Sequence, residues 1–149
     1  MSEPKINFNK MPEKSAGNNV EAGMTDLVIV NAVPKLSKAN KKMLVITVSP
    51  IGNEKFTIDD YCTLFGTEEE GFPVEEFGQY KLRTYQEVTE TIPEGDFTIE
   101  LVARMLKGKK LRAELVTEPY QGKDYLKVGY PESFEKYEAP IVRTAVKEE

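Results

Sequence analysis

Two short apolar segments rich in β-branched residues constrain the fold more than any other feature of this chain. They read MTDLVIVNAV, residues 24–33, and KKMLVITVSP, residues 41–50, and the basic connection PKLSKAN joins them. Runs of this length and composition, bounded by polar and proline-containing stretches, are typical of strands rather than helices. The sequence therefore predicts an antiparallel pair of strands joined by a basic loop.

A change of period along the chain separates a third strand from a first helix. Polarity alternates between Glu54 and Phe65, which predicts the third strand, and an acidic loop follows it over residues 67–76. In QYKLRTYQEVTETI, residues 79–92, the apolar side chains recur every three or four positions. This spacing predicts a helix that Pro93 would end.

A second, amphipathic helix is predicted within DFTIELVARMLKG, residues 96–108. Asp96 is its candidate N-cap, because a carboxylate at that position can accept a hydrogen bond from the first free backbone N–H groups. The apolar side chains of this segment recur at helical spacing, so they are expected in the core: Phe97, Leu101, Met105 and Leu106.

Strand alternation returns in residues 110–117 and in residues 124–130, on either side of a turn at Gln121 and Gly122. Three strands, a helical segment and two further strands is the order of an OB-fold, a five-stranded Greek-key barrel. The sequence therefore predicts a mainly β fold of the α+β class, an OB-like barrel with helices inserted between strands 3 and 4.

The ends of the chain differ in composition from this central part. Residues 1–20 are polar and rich in Asn, Lys, Pro and Gly, so they are expected to form a flexible arm. The barrel is predicted over residues 21–131, and residues 132–149 are expected to form a C-terminal tail. Ile141 and Val142 of that tail could add a strand, exchange with a neighbouring subunit or stay unpaired. The sequence therefore allows both a monomer and a homo-oligomer.

Composition argues against several classes of function. The chain has no histidine, the commonest metal ligand and general base, and its one cysteine, Cys62, cannot form an internal disulfide. No sequence motif of a phosphate-binding loop, zinc protease or serine hydrolase is present. A magnesium-dependent nuclease would need convergent carboxylates, whereas adjacent acids such as Asp59 and Asp60 usually point in different directions. We therefore expect no enzymatic activity, no cofactor and no metal.

Targeting signals are also missing from the sequence. No apolar run approaches the roughly 18 to 20 residues that a membrane-spanning helix needs, and the N-terminus lacks the apolar part of a signal peptide. An intracellular protein without a membrane partner is therefore expected.

Positive charge is concentrated in two parts of a chain whose formal net charge is −5. Four lysines lie in or beside the predicted loop between strands 1 and 2. The second group lies within strands 4 and 5 and the turn between them, where tyrosines alternate with lysines. OB-folds contact ligands through the loops joining strands 1–2 and 4–5, and single-stranded nucleic acids are bound by cations and by aromatic rings that stack on bases. The predicted DNA contacts are therefore Lys35, Lys38, Lys41, Lys42, Lys110, Arg112, Tyr120, Lys123, Tyr125 and Lys127.

Structural explanations compete with each part of this prediction. Tyr120 and Tyr125 could form a cross-strand aromatic pair that only stabilises the hairpin. The lysines of residues 35–42 could be a solvated loop that discourages strand edges from aggregating. The net acidity also suits a protein–protein interaction module, for example a phage factor that binds a host or replication protein, since OB-folds bind proteins as well as oligonucleotides.

Three segments resemble the phage-encoded single-stranded DNA-binding proteins of replication and recombination gene clusters. They are VEAGMTDLVIVNAVPKLSKANKKMLVITV, then YKLRTY, then LKGKKLRAELVTEPYQGKDYLKV. The resemblance covers roughly residues 20–130 and is strongest from Leu106 to Val128. The chain departs from it in two places: Ala39 and Asn40 stand where a glycine is usual, and the acidic insertion is long.

This resemblance implies a function as well as a fold. A member of that family would have an OB-like barrel that coats single-stranded DNA with little sequence preference. It would work beside a recombinase, polymerase or helicase during phage DNA replication and recombination, in the cytoplasm of the bacterial host cell.

Overall fold

A computed structural model of the protein describes residues 22–138, which form a strongly curled antiparallel sheet with two helices. The predicted arm at residues 1–20 and the chain beyond Glu138 lie outside these residues. In chain order the elements are β1 (Gly23–Leu36), β2 (Lys42–Pro50), β3 (Ile58–Phe65), α1 (Glu76–Thr89), α2 (Ile99–Leu106), β4 (Lys110–Tyr120), β5 (Lys123–Val128) and the short strand β6 (Glu135–Lys136). The predicted mainly β fold with helices between β3 and β4 is confirmed.

The strand β1 is the centre of the sheet, whose order is β3-β2-β1-β4-β5. Its first part, Gly23 to Val28, pairs with β4, and the part from Leu27 onward pairs with β2. The register with β2 shifts between Ile29 and Asn31, a β-bulge that bends the strand so that it can serve both partners. β3 and β5 approach each other without forming a ladder, so the sheet is an OB-like half-barrel.

Alternate residues of each strand point into the curl of the sheet and form the core. On β2 these are Leu44, Ile46 and Val48, all fully buried, and the strands on either side contribute positions of the same phase. The two helices and residues 131–136 cover the interior. There the ring of Tyr85 meets the ring of Phe134 edge-on, at a centroid distance of 4.7 Å. This alternation is the one that the sequence showed.

The second helix differs from its prediction at the N-terminus. Thr98, not Asp96, is the N-cap, because its Oγ1 accepts a hydrogen bond from the backbone N–H of Leu101 at 3.1 Å. Phe97 therefore precedes the helix and is exposed, which makes the prediction of a core position wrong. Leu106 is buried as predicted, whereas Leu101 and Met105 are only half-buried.

The helix α1 covers the free edge of β3. The carbonyl oxygen of Leu64 accepts hydrogen bonds from the backbone N–H of Glu75 and from Nε2 of Gln79, and that of Tyr61 accepts one from Nζ of Lys81. These donors take the place of a neighbouring strand, since an edge strand otherwise presents unpaired backbone groups. The helix thus covers the edge of β3, which forms no ladder with β5.

The sheet continues beyond residue 131, where composition suggested that the tail begins. A 3₁₀ turn at Pro131–Ser133 is followed by Phe134, which lies in the core, and by β6, which pairs with β4. The folded unit therefore includes at least the residues up to Lys136.

Candidate nucleic-acid interface

The β4–β5 hairpin presents its aromatic and basic side chains on one face. Gln121 and Gly122 form a two-residue turn, both with positive φ (54° and 81°), as a tight hairpin requires. The resulting register pairs Tyr120 with Lys123 and Glu118 with Tyr125, which places these side chains together on the outer face of the sheet. The turn that was read from the sequence thus fixes the arrangement of the candidate contacts.

The rings of Tyr120 and Tyr125 contact each other edge-on, with centroids 6.2 Å apart and planes at 62°. The cross-strand aromatic pair that competed with base stacking is therefore present. The two tyrosines nevertheless stay 62% and 49% exposed, so part of each ring is open to a ligand. Pairing stabilises the hairpin and does not by itself prevent stacking on a base.

The cations of β4 and β5 differ in how they are engaged. Arg112 forms ion pairs with Asp26 at 2.9 Å and with Glu135 at 3.2 Å. Lys127 pairs with Glu118 at 3.0 Å. These carboxylates compete with any phosphate group for the same side chains.

Two further lysines of these strands have no ion pair with a residue of the described part. The ammonium group of Lys110 lies 5.4 Å from the ring centroid of Tyr137, a cation–π contact. Lys123, at the tip of the hairpin, is exposed beside Tyr120 and makes no ion pair within residues 22–138. Lys123 is thus the cation of the hairpin best placed for a phosphate.

The loop between β1 and β2 is compact and well defined. Oγ of Ser37 accepts hydrogen bonds from the backbone N–H groups of Ala39 and Lys41. Asn40 has a left-handed backbone conformation, with φ of 64°, which glycine and asparagine adopt most readily. Asparagine therefore adopts the left-handed conformation of this turn without a glycine.

The acidic loop after β3 lies against this basic loop. Glu75 pairs with Lys41 across 34 residues of sequence at 3.0 Å, and the ammonium group of Lys42 lies 5.3 Å from the ring centroid of Phe72. The charge segregation seen in the sequence is thus partly cancelled in space. Lys35 and Lys38 are exposed and form no ion pair within the described residues.

The outer face of β1, β2 and β3 carries an exposed aromatic residue that the sequence prediction did not include. Tyr61 lies opposite Val45 of β2, which lies opposite Val33 of β1, so the three side chains form one row across the sheet. Tyr61 is 54% exposed. The signal was available, since residue 61 alternates with inward positions 60 and 62 on β3, and strands 2 and 3 supply the ligand-binding face of OB-folds.

The rows on either side of Tyr61 give this face a polar character. Lys35, Met43 and Thr63 form one row, so a cation lies on one side of the ring. On the other side, the Asp59 carboxylate accepts a hydrogen bond from Oγ1 of Thr47 at 2.6 Å. A strand of nucleic acid on this face would find its phosphate partner near Lys35 and repulsion near Asp59.

Behind this face a buried polar network joins β3 to α1. Asp60 accepts hydrogen bonds from the hydroxyl of Tyr85 at 2.6 Å and from Nζ of Lys81 at 2.9 Å. Burial, and then the nearby Asp60 carboxylate, raise the pKa of the Tyr85 hydroxyl, so this group stays protonated and donates. The same two causes raise the pKa of the buried Cys62 thiol, which leaves it without thiolate reactivity at neutral pH.

Candidate metal-binding clusters and membrane-spanning helices are both absent from residues 22–138. Within residues 22–138 no group of three or more cysteine, aspartate and glutamate side chains could hold a metal ion. No helix in that range is long and apolar enough to cross a membrane.

The chain matches no protein-family model, and no curated protein sequence is similar enough to count as a match.

Proposed function

We propose that the protein binds single-stranded DNA with little sequence preference and has no catalytic activity. The observation that carries this proposal is the exposure of three tyrosine rings, Tyr61, Tyr120 and Tyr125, on the outer surface of an OB-like half-barrel. Such rings stack on any base and contribute about 1–3 kcal/mol per base. Because stacking does not read base edges, the binding has little sequence preference.

Phosphate contacts fall first to the predicted cations that have neither an ion pair nor a cation–π contact among the described residues: Lys35, Lys38 and Lys123. The other predicted cations contribute less, because each of them already contacts a carboxylate or an aromatic ring. Ion pairs at this degree of exposure are worth up to about 1 kcal/mol, so a phosphate that displaces a carboxylate from one of these cations gains less than it gains at an unpaired lysine. The protein therefore binds DNA with fewer net phosphate contacts than its lysine count suggests.

The cellular role follows from the resemblance to phage single-stranded DNA-binding proteins. The protein coats single strands during phage replication and recombination in the bacterial host, beside a recombinase, polymerase or helicase. The alternative, an acidic protein-interaction module, is favoured by one observation: Glu75, Asp26 and Glu135 neutralise cations that were predicted to bind DNA.

Stacking is tested by two single substitutions. Tyr61→Ala and Tyr125→Ala are each expected to weaken binding of labelled oligo(dT) by about 1–3 kcal/mol, with a nearly unchanged salt dependence, because an uncharged ring is lost. Fluorescence anisotropy at several salt concentrations measures both quantities. Tyr130→Ala is the matched control, since Tyr130 is more exposed than either tyrosine and lies outside these rows. Equal affinities for all three variants and the parent would contradict stacking.

Phosphate contact is tested by comparing a lysine that has no ion pair in the described residues with a paired arginine. Lys123→Gln is expected to reduce the slope of log K against log salt by about 0.7, since one phosphate contact is lost. Arg112→Gln is expected to leave the slope nearly unchanged, because Asp26 and Glu135 already hold that guanidinium. A steeper effect of Arg112→Gln than of Lys123→Gln would show that the ion pairs of Arg112 open to bind DNA.

Selectivity tests the function itself. An OB-like surface accepts unpaired bases on its rings, whereas a duplex keeps its bases stacked and offers only phosphates. Unlabelled single strands of mixed sequence should therefore displace labelled oligo(dT) far better than duplex of equal length. Equal competition by duplex would overturn the single-strand assignment, and no binding to either would leave the interaction module as the better account.

A further inference from the structure

An apolar groove of about 840 Å³ lies where α1, α2 and the end of β3 meet. Its floor consists of buried core residues, including Leu82 and Val102. Its rim carries three exposed apolar side chains, Val74, Ile92 and Phe97. None of the residues that line it belongs to the proposed DNA contacts.

The local structure explains why the rim is apolar and exposed. α1 ends at Thr89, and Glu90 takes a left-handed conformation with φ of 58°, so Ile92 lies beyond the helix. Thr98 caps α2, so Phe97 lies before that helix. Both side chains therefore belong to the connection between the helices and project beside the groove instead of joining a buried helical stripe.

The groove is negatively charged at its edge. Glu76, Glu87 and Asp96 line it, and Arg83 is the one cation among the lining residues. Arg83 is paired with Glu87 at 3.1 Å, which leaves the carboxylates of Glu76 and Asp96 in excess. An apolar floor with a carboxylate edge repels nucleic acid and attracts apolar segments that carry basic side chains.

We propose that this groove docks a protein partner through a short amphipathic segment whose apolar side chains are flanked by lysine or arginine. The volume accommodates a few large apolar side chains, and an amphipathic helix laid in an apolar groove is a recurring mode of peptide recognition. The inference goes beyond DNA binding and does not depend on it, since the two surfaces share no residue.

The probe for this site is a fluorescently labelled amphipathic peptide of leucine and lysine, and the control probe replaces every lysine with glutamate. The full-length protein should bind the lysine peptide and not the glutamate peptide. The double variant Ile92→Ala, Phe97→Ala should weaken that binding about tenfold or more, because it removes both apolar anchors. Both side chains are exposed, so the variant keeps its core. Leu36→Ala is the matched control, an exposed leucine outside the groove that should bind the peptide like the parent.

A second double variant tests the contribution of the carboxylates at the edge of the groove. Glu76→Gln with Asp96→Asn should weaken the lysine peptide several-fold and flatten its salt dependence. Equal binding of both peptides, or equal loss in the Leu36→Ala control, would overturn the proposal. Oligo(dT) binding is measured on the same variants and should stay unchanged, so failure of the docking site and failure of DNA binding give different results.

Two other occupants have distinct signatures. If the groove receives a second copy of this chain, sedimentation will show self-association that the Ile92→Ala, Phe97→Ala variant abolishes. If it receives the chain's own C-terminal segment, Val142→Asp in the full-length protein will strengthen peptide binding. Either result would overturn the assignment of the groove to a separate partner.

Discussion

Gly78→Ala is expected to destabilise the protein by about 3 kcal/mol or more, because a methyl group at this position has no room. A Cβ built on Gly78 would lie 1.7 Å from the carbonyl oxygen of Thr63 and 2.6 Å from its carbonyl carbon. These atoms belong to the backbone of β3, so they cannot move aside as a flexible side chain would. The helix would have to shift away from the strand, and with it the donors that cover the β3 edge.

The direction of this effect separates tertiary packing from helix propensity. In an exposed helix interior, replacing glycine by alanine stabilises by roughly 0.5–1 kcal/mol. Urea unfolding followed by circular dichroism gives the sign directly. Arg83→Ala is the control on the same helix, since Arg83 is exposed and this variant should change stability by no more than about 0.5 kcal/mol. A stabilised Gly78→Ala protein would mean that α1 does not pack on β3 at this distance.

Asp60→Ala is expected to cost about 3 kcal/mol of stability, since it leaves the buried Tyr85 hydroxyl without its acceptor and the ammonium group of Lys81 without its counterion. Tyr85 and Lys81 both donate to this carboxylate, and in the described residues every buried side-chain nitrogen or oxygen has a hydrogen-bond partner. Removal of the acceptor therefore creates an unpaired buried hydroxyl and an uncompensated ammonium group. The midpoint and slope of chemical unfolding measure the loss.

The neighbouring residue provides a matched control. Asp59 is the same residue type on the same strand, but it is exposed, and within residues 22–138 its side chain accepts only from Oγ1 of Thr47. Asp59→Ala should cost no more than about 1 kcal/mol. A double-mutant cycle with Tyr85→Phe should give less than additive losses, because the two groups share one hydrogen bond. Equal effects of Asp59→Ala and Asp60→Ala would contradict the buried network.

These two predictions concern the same contact, the packing of α1 on β3. Gly78 allows α1 to approach the backbone of β3, and Asp60 ties β3 to Tyr85 and Lys81 of α1. The helix is thereby held against the edge of β3, where it supplies hydrogen-bond donors to the carbonyl groups of Leu64 and Tyr61. Because Tyr61 lies on β3 between Asp60 and Cys62, the position of the proposed stacking ring depends on how firmly this edge strand is held.

Local sequence patterns determined most of the framework of this protein. Alternation of apolar residues predicted the five main strands, and residues spaced by three or four predicted both helices. Gln121 and Gly122 predicted the hairpin turn, and with it the shared face of Tyr120 and Tyr125. These features could be read because they depend on backbone periodicity and on the conformations of neighbouring residues, which the sequence displays directly.

Tertiary structure alone decided which charges remain available. Lys41 meets Glu75, and Arg112 meets Asp26 and Glu135, through the pairing of β1 with β4, β4 with β6, and the loop after β3. Sequence distance gives no information on such contacts. The predicted DNA contacts therefore divide into paired and unpaired cations only when the sheet is assembled.

The surroundings of single residues were decided in the same way. In the sequence Gly78 lies just before the helix predicted over residues 79–92, and only the close approach of β3 to α1 makes its missing side chain necessary. Phe97 fits a helical stripe, yet the cap at Thr98 leaves it outside the helix and on the rim of a groove. Periodicity specifies which way a side chain points within its own element, whereas what it meets there depends on elements far away in the chain.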